Sequence, residues 1–167
     1  FPVLFASSVN AQQWTALGDG MNNTVNALVA DTVNNVVYAG GEFTTAGTVS
    51  AKNIAKWDGK AWSALTTDML QTIYTMVMYK GDLYVAGGVI LSGCGSSNGG
   101  SCVAKWDGAK WTGIGVLDFT ASAMAVYKGE LYIGGEFKTV EGMPAVNIAK
   151  WNGITWSAVG SGMVQTN

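Results

Sequence analysis

Residues 53–59 read Asn-Ile-Ala-Lys-Trp-Asp-Gly, and the segment returns as Cys102-Val-Ala-Lys-Trp-Asp-Gly108 and Asn147-Ile-Ala-Lys-Trp-Asn-Gly153. A second tryptophan follows each copy, at Trp62, Trp111 and Trp156, and Trp14 in Gln13-Trp-Thr-Ala-Leu-Gly18 is an earlier one. These four fall 48, 49 and 45 residues apart, a period that belongs either to propeller blades or to stacked helical repeats. The pattern inside the unit decides between them.

Each unit holds four short strand-like runs. The first is Val25–Ala30, Tyr74–Tyr79 or Ala123–Tyr127, closed by a polar turn at Asn34-Asn35, Gly81-Asp82 or Gly129-Glu130. The second ends in a glycine doublet: Val36–Gly41, Leu83–Gly88 or Leu131–Gly135. A Gly/Ser/Thr-rich loop leads to the Asn-Ile-Ala-Lys-Trp run. Asp58-Gly59, Asp107-Gly108 or Asn152-Gly153 then turns the chain, as Asx-Gly does in hairpins whose central residues need positive φ. The fourth run starts at the second Trp and ends near Leu65, Ile114 or Val159. No stretch keeps i, i+3, i+4 apolar spacing, which argues against helical repeats. The expectation is an all-β fold, a β-propeller of four-stranded antiparallel blades covering 12–167, with repeats at about 19–66, 67–115 and 116–160. The glycine doublets suggest sharp twist or close approach of a neighbouring ring, with the recurrent Trp residues as candidates to fill that space.

A Gly-Gly doublet ending the second strand, an aromatic in the third and a Trp in the fourth resembles kelch-type repeats. The wording Gly40-Gly-Glu-Phe-Thr-Thr-Ala-Gly47, with Asn-Ile-Ala-Lys-Trp-Asp-Gly and Trp-Ser-Ala-Leu, is similar to repeats of secreted bacterial surface propellers and of Rax2-like fungal cell-surface proteins. The likeness runs through 12–167. It implies a fold far more than a function, because propellers host enzymes, lectins and scaffolds alike. The second unit departs from it, with Val89 in place of Glu42 and Glu136 and with cysteines in its loop.

The ends have their own reading. Phe1-Pro-Val-Leu-Phe-Ala6, Ser7-Ser8 and then Val9-Asn-Ala11, with small residues at −3 and −1, read as the end of a secretory signal peptide at 1–11; an ordinary buried N-terminal strand is the alternative. A lone fourth strand, Gln13–Gly18, precedes three full units. Ser161-Gly-Met-Val-Gln-Thr-Asn167 matches the lead-in Asp19-Gly-Met-Asn-Asn-Thr24. Closed propellers need at least about four blades. The expected partners are therefore further blades of the same chain, completed by the lone strand, or other copies through self-association. In an exported chain, Cys94 and Cys102 are expected to form a loop-closing disulfide rather than a metal site.

Composition narrows the chemistry. The nine basic residues are all Lys, there is no His, and the net charge is −2. Without Arg, the usual bidentate reader of phosphate and guanine, nucleic acid is not an expected partner. Without His, a Ser-His-Asp set is impossible and the commonest general base is missing. No apolar run approaches the roughly 20 residues of a membrane-spanning helix. No phosphate-binding Gly-Lys-Ser/Thr loop, Cys-x-x-Cys pair or Asp-x-Asp-x-Asp calcium loop is present, so no catalytic residue, metal or cofactor is assigned. Asn22-Asn-Thr24 fits the N-glycosylation pattern.

The remaining candidates bind rather than react. Glu42 and Glu136 recur just past Gly-Gly, where they either line a face for a ligand or serve the repeat by bonding the neighbouring loop. Lys56, Lys105 and Lys150 recur with stems expected to pack and ammonium groups exposed. The Trp residues read as inter-blade core before they read as sugar platforms. In an up-and-down blade the 2–3 and 4–1 connections share one face and the hairpin turns the other. The variable connections 44–52, 91–101 and 138–146, with 19–24 and 66–72, therefore form one loop face, where ligand sites concentrate. Glu42, Glu136, Asp19 and Asp68 are the site candidates there. The expected function is a non-catalytic binding or scaffold module, secreted or on the cell surface, with a protein or glycan ligand. The alternatives are a piece of a larger secreted enzyme resembling the kelch-type copper-radical oxidases, or a glycan-binding propeller lectin.

Overall fold

The computed structural model describes residues 15–65, 71–88, 94 and 100–163. Residues 1–11 and Asp68 lie outside that set, as do Gln13 and Trp14 of the lone strand. The described chain is all-β, with three four-stranded antiparallel sheets stacked as propeller blades. The first blade orders β1 (Val25–Asp31), β2 (Val36–Gly41), β5 (Ile54–Trp57) and β6 (Trp62–Ala64). The second orders β7 (Ile73–Tyr79), β8 (Asp82–Gly87), β9 (Cys102–Trp106) and β10 (Trp111–Val116). The third orders β11 (Ala121–Tyr127), β12 (Glu130–Gly135), β15 (Ile148–Trp151) and β16 (Trp156–Ala158). First strands are innermost, and β7 packs against β1 on one side and β11 on the other.

The core lies between blades. Ile73, Met76, Leu83 and Val85 of the second blade pack with Tyr38 and Ile54 of the first in one cluster. Ala86 and Val103 meet Ala121, Ile133 and Ala149 of the third blade in another. A strand covered on both sides has no polar face to alternate with, which is why β8 reads as a continuous apolar run.

Two hairpins that the sequence presents only as Gly/Ser/Thr-rich loops stand out. The connection β2–β5 folds into β3 (Thr45–Ala46) and β4 (Val49–Ser50), and β12–β15 into β13 (Thr139–Val140) and β14 (Met143–Pro144). Each lies across the incoming 4–1 connection through an isolated bridge, Met21 to Ala46 and Leu117 to Val140. The 2–3 and 4–1 connections therefore do share a face.

Three sequence expectations are corrected. The Asx-Gly turns are four-residue loops between Trp57 and Trp62 and their equivalents, with positive φ only at Gly59, Gly108 and Gly153. The Asx oxygen caps the loop instead: Asp58 Oδ1 accepts the N–H groups of Lys60 and Ala61, each at 2.9 Å. The true two-residue turns are Lys80-Gly81 and Lys128-Gly129, with both φ values positive, as that turn type demands. One glycine of each doublet, the second in the first and third units and the first in the second unit, is not an aromatic's seat. A Cβ on Gly41, Gly87 or Gly135 would collide with the carbonyl oxygen of Thr24, Thr72 or Thr120, at the entry to the first strand. Asp82 and Glu130 open their second strands rather than serving the turns alone. They pair with Lys105 at 3.0 Å and Lys150 at 2.9 Å. In the first blade Val36 holds that position.

Candidate ligand-binding face

The loop face is pinned by polar side chains at equivalent places. Asn22 Oδ1 accepts the N–H groups of Thr44 and Thr45, at 2.9 and 3.0 Å. Asp118 Oδ1 does the same for Lys138 and Thr139, at 2.8 and 2.9 Å. Burial works to raise the Asp118 pKa, but the N–H bonds from Thr139 and Lys138 outweigh it and hold the group below its ordinary value. At the tip of β13–β14, Glu141 sits at φ 51° and its carboxylate accepts the Val116 N–H at 2.7 Å. Both hairpins are thereby fixed, so the side chains between them stand on a rigid base.

Glu42 and Glu136 sit where the repeat predicts, and both are exposed. Their backbone N–H groups bond the Thr24 and Thr120 carbonyls at 2.9 Å, and Phe43 and Phe137 beside them are fully buried. Backbone and neighbour serve the fold while the carboxylates face solvent. No ion pair engages either Glu among the described residues. They belong to the first and third blades, with the second between them, and do not converge. Asp19 is exposed and lines a shallow cleft of about 170 Å³ against Trp57 and Trp62, apart from both glutamates.

The side chain that sequence reasoning missed is Phe119. It is 49% exposed, beside the pinning Asp118, in the connection between the second and third blades. Its carbonyl accepts the N–H of buried Ser101 at 3.2 Å, and the next residue, Thr120, accepts that of Glu136. An exposed ring and an exposed carboxylate thus flank one backbone junction. The signal was available: aligned units carry Asn23 and Gln71 where this one carries Phe119.

The six described Trp residues form tilted pairs with centroids 5.2–5.3 Å apart: Trp57–Trp62, Trp106–Trp111 and Trp151–Trp156. All are buried or half-buried, serving the fold rather than offering a platform. Cys94 and Cys102 form a disulfide with Cα atoms 5.6 Å apart, both buried, and a Cβ on Gly113 would collide with Cys94. The covalent link anchors the second blade's loop to its own sheet.

The carboxylates with lowered pKa are held by structural bonds. Asp31 is lowered chiefly by the Asn34 side chain, then by N–H groups of Asn34 and Val33 against burial. Asp58 and Asp107 are lowered by loop N–H groups and Glu130 by Lys150. No helix among the described residues is long and apolar enough to cross a membrane. No protein-family model matches the chain, and no curated protein matches it.

Proposed function

We propose that this protein is a non-catalytic binding module that engages its ligand through the loop face, centred on Phe119 and Glu136. One observation carries the reading: a half-exposed aromatic ring and an unpaired carboxylate flank the same fixed junction, on loops pinned by Asp118. An apolar ring face next to an acceptor suits a ligand with both C–H and O–H groups on one side, as a sugar has. The carboxylates and lysines with displaced pKa values are tied to turns, hairpins or ion pairs, and Tyr38 and Tyr84 are raised chiefly by burial, the arrangement of a scaffold rather than of poised acid–base chemistry. The kelch-type and Rax2-like resemblance and the Cys94–Cys102 disulfide support work outside the cell or at its surface, where disulfides persist.

The test is co-sedimentation with insoluble cellulose, chitin and β-1,3-glucan, comparing wild type with Phe119→Ala, Glu136→Gln and Lys60→Ala. Binding lost in the first two and kept in Lys60→Ala, whose residue lies in a hairpin turn, is the expected result. Binding indifferent to Phe119 and Glu136, or breakdown of the polysaccharide, would overturn the proposal.

A further inference from the structure

The two blade joins show what a blade face needs, and the outer faces carry the same features with no neighbouring blade among the described residues. At the first join, a Cβ on Gly40 would lie 2.8 Å from both Ile73 Cγ2 and Met76 Sδ, so two apolar knobs of the second blade fill a glycine hole in the first. At the second join, Tyr79 Oη donates to the Gly129 carbonyl at 2.8 Å and Lys80 Nζ to the Asn152 carbonyl at 2.9 Å.

Strand register fixes the equivalents. Val25 and Leu28 hold the places of Ile73 and Met76, and Leu28 is 65% exposed. Gly134 holds the place of Gly40, and the nearest atoms to its would-be Cβ are 3.8 and 4.0 Å away. Among the described residues, the first blade thus presents knobs with no hole, and the third a hole with no knobs. Tyr127 and Lys128 hold the places of Tyr79 and Lys80, and Tyr127 is 60% exposed. They keep the docked arrangement: Lys128 Nζ lies 5.3 Å from the Tyr127 ring centroid, against 5.0 Å for Lys80 over Tyr79. Where Gly153 approaches Lys80 Nζ, its equivalent Gly59 meets nothing within 4 Å.

We propose that the open face of the first blade seats the open face of the third blade of a second copy of this chain. Val25 and Leu28 enter the Gly134 hole, Tyr127 reaches the Asn35 turn, and Lys128 reaches the Asp58 carbonyl with the Asp58 carboxylate beside it. That carboxylate makes the joint more charge-complementary than the internal one, where Asn152 stands. The contact is head-to-tail, so two copies contribute six blades, within the range of about four to eight in closed propellers. The place Val159 would take is held by Leu17, whose carbonyl accepts the Trp62 N–H. Docking therefore displaces 15–17, and Trp62 exchanges one carbonyl for another. The loop face stays clear of this joint, so ligand binding and assembly succeed or fail independently.

Light scattering coupled to size exclusion, over a concentration series, reads the joint directly. Wild type is expected to run as an assembly, two 17.4 kDa chains being the closed form. Leu28→Glu and Tyr127→Glu each change an exposed residue on a different face, and circular dichroism checks that each stays folded. Each variant alone is expected to run as a single chain. An equimolar mixture retains one intact pair of faces and is expected to return a two-chain species. Wild type remaining a single chain throughout, an assembly that survives both variants, or a mixture that stays single-chain would each overturn the proposal.

Discussion

The indole N–H of Trp62 donates to the carbonyl oxygen of Leu17 at 2.9 Å, tying the leading segment to the first blade. Trp156 repeats the bond one join along, donating to Ile114 at 2.6 Å. Leu17 and Ile114 each stand three residues after the preceding Trp of the repeat, Trp14 and Trp111. The leading segment therefore occupies the place of a preceding blade's fourth strand, the role its sequence suggests. Residues 15–18 make no ladder among the described residues.

That latch predicts a difference among the tryptophans. Trp156→Phe removes a donor to a half-buried carbonyl and is expected to cost about 1 kcal/mol for the bond. Trp111 Nε1 is buried without a partner among the described residues. Trp111→Phe therefore removes an unsatisfied donor and is expected to cost less. Urea unfolding checks the order through the midpoint, with m unchanged.

The glycine doublets predict a contrast within one pair. Gly135→Ala drives a Cβ into the Thr120 carbonyl oxygen, a rigid neighbour, whereas Gly134→Ala meets ordinary contacts. Forced backbone shifts of that kind cost about 1–3 kcal/mol or more. Thermal unfolding in the Leu28→Glu background, where no second copy fills the Gly134 hole, is expected to show Gly135→Ala well below its parent and Gly134→Ala close to it. Equal losses would contradict the assignment of the doublet's second member to close backbone approach.

Breaking the disulfide with Cys94→Ser/Cys102→Ser is expected to cost about 2–3 kcal/mol, from loop-closure entropy over so short a loop. Reductant should destabilise wild type alike and leave the double variant unmoved. Urea midpoints with and without dithiothreitol make the comparison.

Acid should weaken the fold through Asp31 and Asp118, both held below the ordinary value of 3.8. A depressed carboxyl contributes its stabilisation fully above the unfolded pKa and loses it as pH falls through the folded one. The loss therefore begins near pH 4 and continues below it. Asp31→Asn and Asp118→Asn are each expected to lose less stability than wild type between pH 6 and pH 3, measured by urea midpoints. Lys105 and Lys150, raised by their side-chain bonds to Asp82 and Glu130, contribute below about 10.5 while the partner carboxylate is ionised, and lose that contribution as pH rises through their raised values.

The blade pattern was legible because its signals are local. Four apolar runs per unit, glycine doublets and Asx-Gly loops each constrain the backbone within a few residues. The β3–β4 and β13–β14 hairpins were not legible, because their register depends on Asn22 and Asp118, which come from a different connection 20 to 23 residues earlier. The Lys105–Asp82 and Lys150–Glu130 pairs depend on cross-strand neighbours for the same reason. Glu42 and Glu136 were found by recurrence, and recurrence hid Phe119, which matters because it breaks the repeat. Asp19 lies in the 4–1 connection, beside the β3–β4 hairpin, where it lines a cleft with Trp57 and Trp62.

The most direct test of the binding role is ¹H–¹⁵N chemical-shift mapping of the protein, with soluble cello-, chito- and laminari-oligosaccharides as probes. The account predicts saturable shifts clustered at 118–120 and 136–141, with the hairpin turns at 80–81 and 128–129 unmoved and the oligosaccharide recovered intact. Shifts confined to the hairpin-turn face, or cleavage of the probe, would contradict it.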